Sequence, residues 1–523
     1  MRSCITLILV LLGLAGSWLN AQSNWAALPN IVIIYSDDLG FGDLSSYNAK
    51  AAYQTPRLDR MAKEGIRFTD AHSPSTICSP SRYGLFSGQQ VCRTGRGTRA
   101  FEGPGGPSYI KPGELTIGEM LRKKGYRTGV FGKWHVGLTW YDKEGRKLGG
   151  GFKNSSLIDY EKSCPLEDGP NRRGFDESFV TPNCPTTDPL YVYIENGNVV
   201  TPASQRHKRD RLPNPGGKWR WDNDEGWMAP GYEFVNADLL FHDKTLDFIE
   251  RHRKEHSDKP FFAVFSTQIS HAPVLPAKEF NGRTKGGPRG DFIYELDSLT
   301  GRLLDAVKRM GIDDNTLVIF TSDNGPETLH TIWMREDHKH DAAGGWRGMK
   351  RDGWEGGHRV PFIARWPGRI TEGQVSDQLI NTTDIFATLA SIVGYQLAEN
   401  DAVDSFDMLP ALLGKAAKPI RPHMITQSFR GEYQLRVGHW KYLAHKGSGG
   451  NNYTRPNMAK YALPETESDA IGQLFNLDKD PGETTNLFFT QAAKRKEMQA
   501  LLKTVSGTDG RTAPRRRVPL GLN

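Results

Sequence analysis

Short runs of β-branched and apolar residues alternate along this chain with stretches of helical spacing, and that alternation leaves few folds open. Asn30 to Tyr35, Thr128 to Phe131, Phe261 to Ser266 and Thr316 to Thr321 read as buried strands. Leu115 to Lys124, stopped by Gly125, carries helical spacing, as do Ala237 to Arg253 and Asp291 to Met310, the last stopped by Gly311. Strand, helix, strand order calls for an α/β domain with a large, mostly parallel sheet sandwiched by helices. A chain of 523 residues is long enough for that domain and a smaller one. The segment from Tyr141 to Trp227 is rich in Gly, Pro, Asn and charge and is expected to form long loops framing a site. After Pro410 the texture changes. Gln434 to Val437 and His439 to Ala444 read as short antiparallel strands, and Gln491 to Thr504 as a helix. Residues 411–523 are therefore expected to form a smaller α+β domain, ending in a loose basic tail with Arg515, Arg516 and Arg517.

Residues 1–21 stand apart. Arg2 precedes an apolar run, Ile5 to Leu12, then small residues and Asn20-Ala21. This reads as a secretory signal peptide cut after Ala21, with residues 22–410 as the catalytic domain. The alternative, a membrane anchor, is disfavoured because the run is shorter than the ~20 residues a span needs. Secreted or periplasmic placement without stable membrane insertion is expected. Hydrophobic residues at 37 % and charged residues at 24 % exclude a disordered chain. The formal net charge of +7 is compatible with a polyanionic substrate and equally with an ordinary surface. Beyond Cys4, the cysteines are Cys78, Cys92, Cys164 and Cys184. An oxidising compartment permits a Cys164–Cys184 bridge, and the spacing leaves that open.

Two strands end alike. The one closing at Ser36 runs into Asp37-Asp38, and the one closing at Thr321 runs into Ser322-Asp323-Asn324-Gly325. In a parallel sheet, ligands bind beyond the carboxyl ends of the strands. Three carboxylates and an amide oxygen meeting there would suit a hard cation, Ca²⁺ or Mg²⁺. Asp and Asn also serve as turn residues after strands. It is the pairing at equivalent strand ends that favours a metal.

Between them lies Cys78-Ser79-Pro80-Ser81-Arg82, continuing through Leu85 to Ser87-Gly88. Taken alone, Cys78 could be a structural cysteine bridged to Cys92, and an unmodified thiol matches a hard cation poorly. The segment resembles the sulfatase signature, Cys-x-Pro-Ser-Arg followed by Leu-x-(Thr/Ser)-Gly, at every fixed position. Gly125-Tyr126-Arg127-Thr128, leading to Gly132-Lys133-Trp134-His135, resembles the family's second signature. Ser270-His271-Ala272-Pro273, Lys350 ahead of Glu355-Gly356-Gly357, and Thr383 to Leu389 extend the resemblance over nearly the whole mature chain, as does the run from Leu474 to Leu487. The departures are Ala387, where proline is usual, and Met349, where glycine is common.

The resemblance implies an alkaline-phosphatase-like fold and a Cys78 oxidised to formylglycine by a dedicated generating enzyme. It also implies one Ca²⁺, or alternatively Mg²⁺, held by Asp37, Asp38, Asp323, Asn324 and the modified Cys78. One hydroxyl of the hydrated aldehyde would attack sulfur and form a covalent sulfo-enzyme, splitting a difficult displacement into two easier ones. Arg82 would orient the diol, and Lys133 and Lys350 would grip sulfate oxygens. His271 is assigned the acid that protonates the leaving alcohol and His135 the base that releases sulfate, with exchange of the two roles left open.

The implied substrate is a sulfated carbohydrate or another sulfate ester, with no nucleic-acid partner. The stretch from Pro185-Thr186-Thr187-Asp188 to Glu195-Asn196-Gly197, and Trp346 to Trp354, are expected to line the pocket. Two rivals stand. A phosphatase or phosphodiesterase of the same superfamily would usually carry Ser or Thr at the nucleophile. A non-catalytic protein binding sulfated glycans would not need the Asp/Asn, Lys and His set.

Overall fold

The computed structural model describes residues 27–98, 100–208, 217–220 and 224–507; residues 1–21, read above as a signal peptide, and Arg515 to Arg517 lie outside them. Ten strands form the main sheet: β1 (Asn30–Ser36), β2 (Ile66–Phe68), β3 (Arg127–Lys133), β4 (Glu177–Thr181), β5 (Ile194–Glu195), β6 (Asn198–Val199), β7 (Phe261–Ser266), β8 (Thr316–Ser322), β9 (Phe362–Arg365) and β10 (Gln374–Ser376). Their spatial order is β10-β2-β9-β8-β1-β7-β3-β4-β5-β6. The central run from β8 to β4 is parallel throughout. On either side of it β9 and β5 turn antiparallel, so the sheet is mixed, with the expected parallel arrangement at its centre.

The alternation of side chains along β1 explains the layers. Ile31, Ile33 and Tyr35 enter one core, and Val32 and Ile34 the opposite one. Five principal helices cover these faces: α1 (Pro56–Lys63), α2 (Cys78–Ser87), α3 (Ile117–Lys123), α4 (Ala237–Glu255) and α5 (Gly287–Arg309). Leu58, Phe248 and Leu296 place α1, α4 and α5 over the Val32 face, and Ile117 and Met120 place α3 over the Ile31 face. Full burial of each such Leu, Ile or Phe contributes about 1.5–3 kcal/mol. The α3 start follows from its sequence, since the Thr116 side chain accepts a hydrogen bond from the Glu119 backbone N–H.

The second sheet is antiparallel, in the order β11 (Met424–Gln427), β12 (Tyr433–Val437), β13 (Trp440–Leu443), β14 (Gln473–Asn476). It packs on α6 (Ala492–Val505) through Ile425, Leu435, Leu474, Met498 and Leu502, and Cys92 from the earlier part of the chain enters the same core.

One expectation is corrected. The segment from Tyr141 to Trp227 is more than loops, because it supplies β4, β5 and β6 to the main sheet. The Glu-Ser-Phe-Val-Thr run of β4 finds its parallel partner β3 forty-odd positions upstream, and the Pro and Gly around it conceal the strand. The Cys164–Cys184 pairing that the spacing left open is not formed, nor is a Cys78–Cys92 bridge, and the four cysteines among the described residues are free. Cys184 is turned towards His271 instead, with Sγ 3.4 Å from Nδ1.

Candidate active site

In the parallel β1–β8 pair, Ser36 stands opposite Ser322, so the chain leaves both strands at one edge. This register brings Asp37 and Asp38 beside Asp323 and Asn324. The Asp38 backbone N–H donates to Asp323 Oδ1 at 3.2 Å, and Asn324 Nδ2 donates to Asp38 Oδ1 at 2.7 Å. Cys78, the first residue of α2, is buried beside them, and the Asp37, Cys78 and Asp323 ligand atoms lie within 4.8 Å of one another.

Arg82 follows Cys78 by one helical turn, which puts both side chains on the same side of α2. Its Nε and Nη2 donate to Asp323 Oδ2 at 3.0 and 2.8 Å, and Nη1 donates to Ser266 Oγ at 2.6 Å and to the Lys133 carbonyl at 3.1 Å. The guanidinium also sits 5.2 Å from the centre of the Tyr35 ring. Lys133, the last residue of β3, donates to Asp37 Oδ2 at 2.5 Å. Gly132 makes that approach possible: its φ is +116° and a Cβ there would lie 1.9 Å from the Ser266 carbonyl oxygen. Lys350 donates to Asp38 Oδ2 at 2.8 Å and lies 3.6 Å from Glu327.

Asp37, Asp38, Asp323 and Glu327 thus face Arg82, Lys133 and Lys350 with almost no solvent exposure. Burial alone would raise the Asp37 pKa, but Lys133, His271 and Arg82 outweigh it and hold that carboxyl well below the usual range. Two acceptors stay unsatisfied: Asp37 Oδ1 and Asn324 Oδ1 are buried with no hydrogen-bond partner among the described residues. An orphaned buried acceptor costs about 1–3 kcal/mol. Orphaned oxygens in an all-oxygen cluster fit a hard divalent cation held by Asp37, Asp38, Asp323 and Asn324. Adding a dication to this cluster of carboxylates and cations would leave the site positive, which favours an anionic substrate.

Burial pushes the Cys78 thiol up to about 11, against the pull of Lys133 and Lys350. At neutral pH an unmodified Cys78 is therefore a protonated thiol and a weak nucleophile. His135 Nε2 lies 2.9 Å from the Phe101 carbonyl, which can only accept, so Nε2 carries the proton. Its Nδ1 is buried without a partner among the described residues, and burial, then Lys133, holds the ring well below its ordinary pKa. His271 Nδ1 donates to the Ala272 carbonyl at 2.6 Å, leaving Nε2 3.6 Å from Asp38 Oδ2. Burial and then Lys350 lower its pKa.

The structure therefore gathers Cys78, Arg82, Lys133, Lys350, His271 and the four acidic and amide residues into one cluster, with His135 reaching it beside Lys133. Sequence reasoning missed Ser266, Tyr35, Glu327 and Cys184. Ser266 and Tyr35 end predicted strands, which was the available signal; Cys184 gave none. The Trp346 to Trp354 loop carries Lys350 to Asp38. Glu195 to Gly197 does not reach it. Antiparallel pairing of β5 sets Glu195 against Phe179 and carries that turn back towards the start of β4, away from the edge where Lys133 ends β3.

Known proteins bear on this arrangement directly. The Sulfatase family model matches residues 29–395. The chain is 32 % identical over 511 residues to an N-acetylgalactosamine-6-O-sulfatase of Bacteroides thetaiotaomicron, covering 91 % of this chain and 93 % of that protein. It is 33 % identical over 489 residues to arylsulfatase A of Homo sapiens, covering 91 % and 86 %. A solved structure from Bacteroides thetaiotaomicron, described with the metabolism of multiple glycosaminoglycans, matches with a TM-score of 0.76 at 29 % identity and covers 92 % of this chain and 99 % of that one. The family match spans the main sheet from β1 to β10 and every residue of the cluster around Cys78, so the chain belongs to the sulfatase family and is a sulfuric ester hydrolase on an alkaline-phosphatase-like fold.

Proposed function

We propose that this sulfatase hydrolyses sulfate monoesters of carbohydrates outside the cytoplasm, through Cys78 matured to formylglycine by a generating enzyme, with one Ca²⁺ per chain and Mg²⁺ as the alternative. The observation that carries the reading is the buried cluster itself. It sets a position matching the formylglycine signature beside orphaned hard oxygens and two lysines, in a chain whose curated relatives include N-acetylgalactosamine-6-sulfatases. Secretion rests on the amino-terminal segment. Among the described residues no helix is long and apolar enough to cross a membrane.

The cation, when bound, would polarise a sulfate oxygen and lower the pKa of the hydroxyl at position 78. Lys133 and Lys350 would hold the remaining sulfate oxygens, and Arg82 fixes the start of α2 and Asp323. Attack by the ionised hydroxyl of residue 78, its proton already lost to solvent, forms an oxygen–sulfur bond and breaks the sulfur–alcohol bond. Because Nδ1 donates to the Ala272 carbonyl, His271 must take up a second proton on Nε2, and the doubly protonated ring then gives the departing alcohol that proton. His135 Nδ1, the unprotonated nitrogen of its ring, then takes the proton of the second hydroxyl as sulfate leaves and the aldehyde returns.

A panel of sulfated sugars, led by 6-O-sulfated N-acetylgalactosamine and including phosphate monoesters, tests the reading by sulfate release. Phosphate release in place of sulfate release would overturn it. The histidines separate by leaving group. His271→Ala should lose about 10²–10⁴-fold on a sugar sulfate, the range of general-acid catalysis, and far less on nitrophenyl sulfate, whose phenol leaves unaided. His135→Ala should release one equivalent of alcohol or phenol per active site from either substrate and then stall. A burst in the His271 variant and none in the His135 variant would reverse the assignment.

A further inference from the structure

Three cavities share lining residues and adjoin one another, forming a groove. The first, ≈ 470 Å³, is bordered by Arg96, Phe101 and Arg430. Arg430 also borders the second, ≈ 320 Å³, together with Lys446 and Arg347. Arg347 and Trp354 are common to the second and the third, ≈ 330 Å³.

One end of the groove touches the catalytic machinery. The Phe101 backbone N–H donates to Ser79 Oγ at 3.1 Å, and its carbonyl accepts from His135. The floor is tied to the loop that carries Lys350. Asn451 Nδ2 donates to the Lys350 carbonyl at 2.9 Å, and the Phe429 backbone N–H donates to the Arg351 carbonyl at 3.2 Å. The small antiparallel sheet thus builds a wall leading away from Cys78.

Cations outnumber carboxylates along the groove. Arg96, Arg430, Lys446 and Arg347 border it, and Glu465 is the carboxylate at the rim of the middle cavity. Arg430 and Lys446 are exposed. Arg347 is held flat, its guanidinium 3.7 Å from the centre of the Trp354 ring and its Nη1 bonded to the Glu483 carbonyl. A stacked guanidinium presents a pre-set fork to sulfate or carboxylate oxygens.

We propose that this groove binds a second anionic group, a sulfate or a carboxylate, on the saccharide flanking the hydrolysed ester, with Arg430 at the junction as the principal contact. The proposal rests on the carbohydrate-sulfatase reading and narrows it to polyanionic oligosaccharides over single sulfated sugars.

The test uses the matured, metal-loaded full chain. Its substrates are nitrophenyl sulfate and three oligosaccharides with the same scissile ester, whose neighbouring sugar carries a sulfate, a carboxylate or no charge. Arg430→Ala combined with Lys446→Ala should raise KM about tenfold for the charged oligosaccharide that fits, with kcat little changed. The other substrates should be unaffected. The difference should shrink as salt rises, because exposed charges are screened. Arg430→Lys should recover part of the loss. Whichever charged neighbour shows the effect identifies the ligand. Equal KM values for wild type and variant on all three oligosaccharides would overturn the groove proposal while hydrolysis of nitrophenyl sulfate continued. Absence of any sulfate-ester hydrolysis in the wild type would overturn the carbohydrate-sulfatase reading, and the groove proposal with it.

Discussion

Cys78→Ala is expected to abolish sulfate-ester turnover, by on the order of 10⁴-fold or more, as when other enzymes lose the nucleophile of a covalent mechanism. The fold should survive. The change removes one sulfur from the first turn of α2, while Arg82, Lys133 and Lys350 keep their carboxylate partners. Unfolding midpoints of variant and wild type should therefore lie close together, which separates loss of chemistry from loss of structure. The companion measurement is the mass of the peptide containing residue 78. An active preparation should show the loss of one sulfur and two hydrogens and the gain of one oxygen relative to cysteine. An active enzyme with intact cysteine at 78 would sink the mechanism, and the protonated state of the buried thiol explains why plain cysteine would serve poorly there.

The second large effect concerns the metal. Exhaustive chelation should reduce activity about 10³-fold or more, because Lewis-acid stabilisation of several kcal/mol is lost and each 1.36 kcal/mol is a factor of ten. Adding Ca²⁺ should restore it. Ligand binding to the folded state alone raises stability by about 2.7 kcal/mol at a concentration a hundredfold above Kd, so Ca²⁺ should also raise the unfolding midpoint. That thermal readout does not depend on residue 78 being matured. Asn324→Ala, which removes one orphaned oxygen without changing the charge, should weaken Ca²⁺ binding and move the midpoint less. Stoichiometric zinc in the purified protein, or full activity after chelation, would count against the hard-cation site.

The groove and the catalytic cluster share an origin in the packing of the small sheet against the Lys350 loop. Asn451 bonds to both the Lys350 carbonyl and Asp352. Changes in that turn are therefore expected to reach catalysis through the position of Lys350 as well as through the groove.

What the sequence alone determined is whatever is local. The runs Asn30 to Tyr35, Phe261 to Ser266 and Thr316 to Thr321 are apolar on both faces, so only a buried central strand satisfies them, and they form β1, β7 and β8 nearly residue for residue. The helices of α4 and α5 were legible from their spacing. The acidic pairs ending β1 and β8 were legible because a parallel sheet puts equivalent strand ends at one edge. Only the tertiary structure decided the rest. Arg82 meets Asp323 across 241 positions, and no spacing rule links them. The Cys184 thiol turns towards His271, 87 positions away, so a disulfide reading had no local evidence against it. The short strands β4, β5 and β6 lie in a Pro- and Gly-rich segment whose own propensities are weak. They exist because β3 offers an open edge, and a short strand gains its hydrogen bonds and burial from its neighbour rather than from its own residues.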